Sequence, residues 1–131
     1  MTTNYIISDF VTRINNALKK NKKFVIVPKA NIIKRLLNVM ENEGFIVGYK
    51  IYNENNLKVY LKYFQNKPVI NNFNSISKPS RRVYFNKENI IHWKNQNNSF
   101  DLLILSTNKG VLTHQEALLK QAGGEVLVSL N

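Results

Sequence analysis

The residue types best suited to molecular recognition are gathered in Ser106-Thr107-Asn108-Lys109-Gly110, a polar turn between an apolar run starting at Leu102 and the aliphatics Val111 and Leu112. Two hydroxyls, an amide and exposed backbone groups can exchange hydrogen bonds with base edges and ribose 2′-hydroxyls. Lys109 can neutralise a phosphate, and Gly110 lets a backbone approach closely. Turns favour Ser, Thr, Asn and Gly for conformational reasons alone, so a recognition loop and an ordinary strand-to-helix turn both fit the composition.

A second constellation is Ser77-Lys78-Pro79-Ser80-Arg81-Arg82-Val83-Tyr84. Three cations, Lys78, Arg81 and Arg82, beside a proline that stiffens the turn make a candidate phosphate clamp with little entropy to lose on binding. Tyr84 can stack on a base or ribose, although a tyrosine alternating within a strand also packs simply against its neighbours. A third group, Lys19, Lys20, Lys22 and Lys23, suits the negative end of a preceding helix and suits phosphate contact equally.

Catalytic constellations are missing from the sequence. The acidic residues are scattered, no glycine-rich phosphate loop opens a helix, and Glu41 and Glu43, two apart on a helix, point to different faces. The absence of cysteine excludes a disulfide framework, a zinc knuckle, an iron–sulfur cluster and a thiol nucleophile. His92 and His114 lack the spacing of a metal-binding helix. The expectation is a protein that is not an enzyme, with no metal, no cofactor and no small-molecule substrate.

The charge points to a polyanion. Nineteen Lys and Arg against eight Asp and Glu leave +11, which is self-repulsive until something neutralises it. Anionic lipid would be met by one basic amphipathic helix or a polybasic tail, whereas these cations are spread along the chain, so nucleic acid is the expected partner and a membrane is not. No window approaches the ~18 apolar residues of a membrane span, and the amino terminus carries no recognisable cleavable address. Asn-, Lys- and Ile-rich usage, as in residues 53–56, 71–74 and 95–98, suggests an A+T-rich coding genome.

The elements that must hold these groups follow from periodicity. Ile6, Ile7, Phe10, Val11, Ile14, Ala17 and Leu18 recur at threes and fours, which predicts an amphipathic helix over 5–20. A short strand at 24–27 ends at Pro28. Asn31 can then cap a second helix with the stripe Ile32, Ile33, Leu36, Leu37, Val39 and Met40, stopped by Gly44. Residues 45–52 and 57–64 read as a hairpin, the second arm alternating Leu57, Val59, Leu61, Tyr63 against Lys58, Tyr60, Lys62. Gln65-Asn66-Lys67-Pro68 is the expected domain boundary. Beyond it, strands are expected at 69–77, 82–85, 102–106 and 125–130, with a short helical turn near Ile90 and one true helix opened by Thr113-His114-Gln115-Glu116 as a capping box and stopped by Gly123-Gly124.

Ser106-Thr107-x-Lys109-Gly110 followed by Val111, Leu112 and then Ala117 resembles the signature of bacterial-type small-subunit ribosomal protein eight. The likeness extends to Asp9, Thr12, Arg13, Ile14 and Asn16, to Glu43-Gly44-Phe45-Ile46, to Leu61-Lys62-Tyr63-Phe64-Gln65, to residues 77–84 and to Gly123-Gly124-Glu125, so it covers essentially the whole chain. It implies an α/β (α+β) fold of two small packed domains: an αβαββ amino-terminal half, 1–66, and a β-rich, rRNA-binding carboxy-terminal half, 67–131, with one short helix. It also implies a structural constituent of the small ribosomal subunit that binds the central domain of its rRNA early in assembly, beside neighbouring ribosomal proteins. The resemblance assigns RNA contact to Ser106, Thr107, Asn108, Lys109 and Gly110, with Tyr84, Lys78, Arg81 and Arg82 lining the same face. Thr12, Asn16, Lys29 and Ala30 would meet an adjacent RNA helix.

Three positions depart from the family pattern: Ser80 stands where glycine is usual, Asn31 where lysine is common, and Asn108 where serine is frequent. The composition adds an expected mitochondrial, organelle-encoded origin, with plastid and bacterial cytoplasm as alternatives. A free-standing nucleic-acid-binding regulator is the competing function; it needs a recognition helix or an aromatic stacking sheet, and neither is clear in the sequence.

Overall fold

Residues 3–131 are described by the computed structural model, with side chains described from Tyr5 onward. The first helix, α1, spans Thr3–Lys19 and buries Ile7, Phe10, Val11, Ile14 and Ala17, the stripe its spacing predicts. It stops where Asn21 adopts φ 53, with the Lys22 N–H on the Ala17 carbonyl and the Asn21 N–H on the Leu18 carbonyl. This is the Schellman arrangement, in which one left-handed residue satisfies the last carbonyls.

Strand β1, Phe24–Pro28, is followed by α2, Asn31–Asn42. Asn31 does not cap α2: Ala30 occupies that position at φ −151 and offers no side-chain hydrogen bond, so Asn31 is the first helical residue. Gly44, at φ 82, ends the helix as expected, with its N–H on the Glu41 carbonyl and that of Phe45 on the Met40 carbonyl. Strands β2, Ile46–Ile51, and β3, Asn56–Leu61, form the expected hairpin, and Asn53 closes its loop by accepting from the Asn55 N–H and the Asn56 amide. The antiparallel sheet runs β1-β3-β2. Val27, Leu57, Val59 and Leu61 on one face are fully or almost fully buried, on the side of α1 and α2, and the alternation turns Phe24, Ile26, Lys58 and Tyr60 to the other.

The chain divides after Asn71, not after the polar turn at 65–68. Gln65 and Asn66, at φ 52 and φ 64, form the two-residue loop of a small hairpin, β4 at Tyr63–Phe64 with β5 at Lys67–Pro68. Two positive φ values are what a type I′ hairpin turn requires, and the pairing folds the chain back onto the first unit.

The second unit, Asn72–Asn131, holds a sheet of β6, Phe73–Ser75, β10, Gly124–Leu130, β8, Leu102–Thr107, and β9, Gly110–Thr113, in that order. A short β7, Tyr84–Phe85, also pairs with β10. The strands expected at 69–77 and 82–85 are shorter, and residues 78–82 leave the sheet in a tight excursion between the backbone bonds that Ser77 and Val83 make with Val126. Two helices follow the core side. The turn expected near Ile90 is a ten-residue helix, α3, Lys87–Gln96, opened by a reciprocal capping box between Asn86 and Asn89. The helix opened by Thr113 is α4, His114–Leu119, and here only half of the expected box forms: Thr113 Oγ1 accepts from the Glu116 N–H while its hydroxyl meets Glu116 Oε1. The Thr113 residue is itself paired in β9 opposite Ile104, so its backbone is engaged in the sheet. Gly123-Gly124 does not stop α4. Gln121, at φ 52, does so, with the Ala122 N–H on the Ala117 carbonyl.

Ile90, Leu103, Leu105, Leu112, Ala117 and Val126 form one buried cluster, with Val83, Phe85 and Trp93 packed around it. His114 is buried there, edge-on to Trp93 at 4.9 Å, and its Nδ1 accepts from the Leu103 N–H at 3.3 Å. Burial, and then the nearby Lys94 charge, hold its imidazole below the ordinary 6.5. The Asn-rich segment before Phe100 is structural: Asn97 Nδ2 donates to the Trp93 carbonyl at 2.7 Å, and the Asn98 N–H donates to Asp101.

Candidate nucleic-acid interface

The polar turn is the tip of a β-hairpin and not a strand-to-helix connection, because Val111-Leu112-Thr113 forms β9 against β8. Thr107 and Gly110 are paired, leaving Asn108 and Lys109 at the tip. Thr107 Oγ1 donates to the Gly110 carbonyl at 2.8 Å and accepts from the Lys109 N–H at 3.1 Å, so one hydroxyl fixes the loop across its neck. Gly110 has φ +116, a conformation that L side chains rarely adopt. Lys109 Nζ donates to the Lys120 carbonyl at 2.8 Å, at the carboxy-terminal end of α4. An ammonium carries three donors, so the lysine can hold its own loop and still present N–H groups outward. Asn108 is exposed, and Ser106 is half-buried.

Strand register brings distant residues beside this loop. Tyr84 lies opposite Glu125, Glu125 opposite Ser106, and Ser106 opposite Val111. Directly paired residues share a face, so these four form one row across the sheet, with Tyr84 and Ser106 two strand spacings, about 10 Å, apart. Tyr84 is 62% exposed. The row points away from the buried cluster, since Phe85, Leu105, Leu112 and Val126, one position along their strands, are the residues packed there. The tyrosine that sequence left divided between stacking and packing is therefore outside this core.

The sheet is drawn together by two glycines. A Cβ on Gly124 would collide with the Ser106 carbonyl, and one on Gly123 would stand 2.6 Å from the Phe85 carbonyl oxygen. Their role, read as helix termination in sequence, is close approach of backbone on both sides of β10. Gly124 and Glu125 were not singled out as site residues. Only strand register reveals that Glu125 stands between Tyr84 and Ser106.

The basic segment is tied at its base. The Ser77 hydroxyl, 1% exposed, donates to the Val83 carbonyl at 3.2 Å and accepts from the Val83 N–H at 2.9 Å. Lys78 and Arg81 exchange backbone hydrogen bonds at 2.9 and 3.0 Å, which puts Pro79 and Ser80 at the centre of a tight turn. Ser80 is not among the positive-φ residues, so serine suits the position where the family pattern has glycine. Lys78, Arg81 and Arg82 are exposed. Val83 beside them reaches β10 through the Val126 N–H, so the turn leaves the sheet next to Glu125.

The first unit holds the remaining predicted residues on two elements. Thr12 and Asn16 are exposed one turn apart on α1, and the Thr12 hydroxyl donates to the Ser8 carbonyl at 3.0 Å. Lys29 and Ala30 form the connection from β1 to α2, where the Lys29 N–H donates to the Asn55 carbonyl at 2.9 Å. Asn16 also lines a cleft of about 580 Å³ between α1 and β1, bordered by Arg13, Lys20, Lys22 and Lys23 over a floor that includes Ala17 and Phe24. On the sheet face turned from the helices, the Lys58 ammonium lies 4.1 Å from the Phe24 ring centre and 5.4 Å from that of Tyr60, with Lys50 5.5 Å from Tyr60. A hydrogen bond from Lys50, reinforced by the charges of Lys50 and Lys58, holds the Tyr60 phenol below its ordinary 10.0. These aromatic residues were missed, although the alternation Lys58, Tyr60, Lys62 carried the signal. No group of metal-ligating side chains forms among the described residues, and no helix is long and apolar enough to cross a membrane.

Comparison with known proteins gives one consistent result. The profile of the family described as Ribosomal protein S8 matches residues 5–130. The small ribosomal subunit protein uS8 of Buchnera aphidicola subsp. Cinara cedri is 42% identical over 123 residues, covering 92% of both chains. That of Vesicomyosocius okutanii subsp. Calyptogena okutanii is 42% identical over 127 residues and 95% of both, and that of Rhodopseudomonas palustris 38% identical over 134 residues and 99% of both. These relatives are bacterial, and they lend the mitochondrial expectation no support.

Proposed function

Since this chain belongs to the ribosomal protein S8 family, whose members are structural and not enzymes, we propose that it binds the central domain of small-subunit rRNA and supports its assembly. Its setting is the small ribosomal subunit, among rRNA and other ribosomal proteins. An organellar origin rests on the Asn, Lys and Ile usage alone. The relatives named above are small ribosomal subunit proteins, which favours this reading over a free-standing regulator.

The observation that carries the rRNA reading is the row Tyr84–Glu125–Ser106 ending beside a hairpin whose neck is fixed by the Thr107 hydroxyl. A folded RNA with irregular nucleotides is read by shape, and a surface that reads shape must hold its donors and acceptors still before contact. Ser106 and Asn108 supply the hydrogen-bonding groups, Tyr84 an exposed ring, and Lys109 the remaining donors of its ammonium. Gly110 adopts the positive φ that closes the neck of the hairpin, and Thr107 positions the loop. Lys78, Arg81 and Arg82 add attraction to phosphates, screened by salt. In the first unit, Thr12, Asn16 and Lys29 offer polar contacts to an adjoining RNA helix, and the uncapped start of α2 at Ala30 leaves backbone N–H groups for a phosphate.

Replacing Ser106 and Thr107 together by Ala tests this. The double variant is expected to keep its circular dichroism spectrum and to lose about 1 to 3 kcal/mol of affinity for a central-domain transcript, through unpaired groups left in the interface. Unchanged affinity in the folded variant would reject the reading.

A further inference from the structure

We propose that the solvent-facing side of the first unit's sheet, together with the adjoining cleft, binds a single-stranded RNA segment, with bases stacking on Phe24 and Tyr60. The inference rests on the chain being an RNA-binding protein, but it uses none of the hairpin residues. Phe24 and Tyr60 are paired directly across β1 and β3, on the face opposite Val27, Leu57, Val59 and Leu61. Two neighbouring rings on an antiparallel sheet form a platform that can take successive unstacked bases. Phe24 has no place in the core at 43% exposure, and leaving such a ring in water forfeits hydrophobic stabilisation unless something covers it.

Lys58 covers it now, over both rings, and Lys50 accompanies Tyr60. A lysine stem is flexible, so a base can displace the ammonium from the ring face while the charge moves only as far as the nearest phosphate. Phe24 also belongs to the cleft bordered by Arg13, Lys20 and Lys23, so a strand laid across the rings would find cations for its backbone at the edge of the same platform. Rings for bases beside lysines for phosphates match the chemistry of single-stranded RNA.

An acidic extended peptide is the competing occupant, and it would use the outer edge of β1. The Leu61 N–H donates to the Lys23 carbonyl, which fixes the phase of the ladder and turns the backbone groups of Phe24 and Ile26 outward. That edge is poorly suited to strand addition. Arg13 already donates to the Ile26 carbonyl at 3.3 Å, Pro28 has no N–H, and lysines on an edge discourage pairing. Such a peptide would also leave the two rings unused.

The test uses the full-length protein and three labelled probes: octa-riboadenylate, an abasic ribose-phosphate octamer of equal charge, and an octapeptide of alternating Glu and Val. Octa-riboadenylate is expected to bind at least about fivefold tighter than the abasic octamer. Phe24→Leu and Tyr60→Leu are each expected to weaken it by about fivefold or more, while Phe24→Tyr and Tyr60→Phe retain binding. Equal binding of the two nucleic-acid probes, or full binding by the leucine variants, would overturn the proposal. Preferential peptide binding with protection of the Phe24 and Ile26 amides from hydrogen exchange would overturn it in favour of strand addition. The leucine variants should keep wild-type affinity for the folded central-domain transcript, so failure of the platform and failure of the hairpin reading give different results.

Discussion

The two units meet solvent in opposite ways. At the β8–β9 hairpin the polar groups are largely committed inward: Thr107 bonds both sides of its loop, Lys109 reaches the Lys120 carbonyl, and Ser77 ties the base of the neighbouring basic turn. On the first unit's open sheet face, long lysines lie over the exposed Phe24 ring and the half-buried Tyr60 ring and beside a cleft, held by contacts that cost little to rearrange. The contrast separates two kinds of affinity. Groups fixed beforehand discriminate shape, because little ordering remains to oppose binding. Mobile cations attract any polyanion, with a strength that salt removes.

The sharpest way to break this contrast is Gly124→Ala. The added carbon would meet the Ser106 carbonyl in a backbone that has no flexible side chain to yield, so the second unit should lose about 3 kcal/mol, or fail to fold. Urea unfolding followed by Trp93 fluorescence reads this directly. A neutral effect would show that the spacing between β8 and β10 is loose, and the claim of a rigid row would fall with it.

Thr107→Val is the milder probe. It keeps the shape and removes the hydroxyl, leaving the Gly110 carbonyl and Lys109 N–H without their bonds across the neck, at a cost of about 1 kcal/mol. Amide exchange should accelerate at Lys109 and remain unchanged in β1 and β3. Exchange at Lys109 as slow as in the wild type would mean that the strands, and not the hydroxyl, hold the tip.

The smallest effect expected is on pH dependence, and it again belongs to the second unit. His114 is held below 6.5 in the folded protein by burial, so the unfolded chain takes up its proton first as pH falls. Stability from this residue is complete above the unfolded value of 6.5 and is lost as the pH drops through the lower folded value. Urea midpoints should decline between neutral and mildly acid pH, and His114→Phe should flatten that part of the profile. An unchanged slope in the variant would assign the acid sensitivity elsewhere.

What could be read from the chain follows the same division. The stripes of α1 and α2, the stop at Gly44 and the β2–β3 hairpin repeat at the period of their element, so local spacing identifies them. Helix α3 was hidden because it buries only Ile90 and is held by an Asn86–Asn89 box that resembles a polar loop in composition. Strand β9 was hidden because two aliphatics before a helix read equally as its lead-in. The candidate residues of the hairpin were legible by type, but the position of Glu125 between Tyr84 and Ser106 depends on the register of three strands, and that is set by tertiary packing. The Phe24–Tyr60 pair is of the same kind, with each ring unremarkable until β1 and β3 are laid side by side.

The most direct test of rRNA recognition by a preorganised hairpin is competition between a folded transcript of the small-subunit rRNA central domain and an arbitrary RNA of equal length, at physiological salt. The account predicts that the purified protein prefers the central-domain transcript by at least about a hundredfold, a margin beyond charge attraction alone, and that it keeps the preference as salt is raised. Equal affinity for the two RNAs would contradict it.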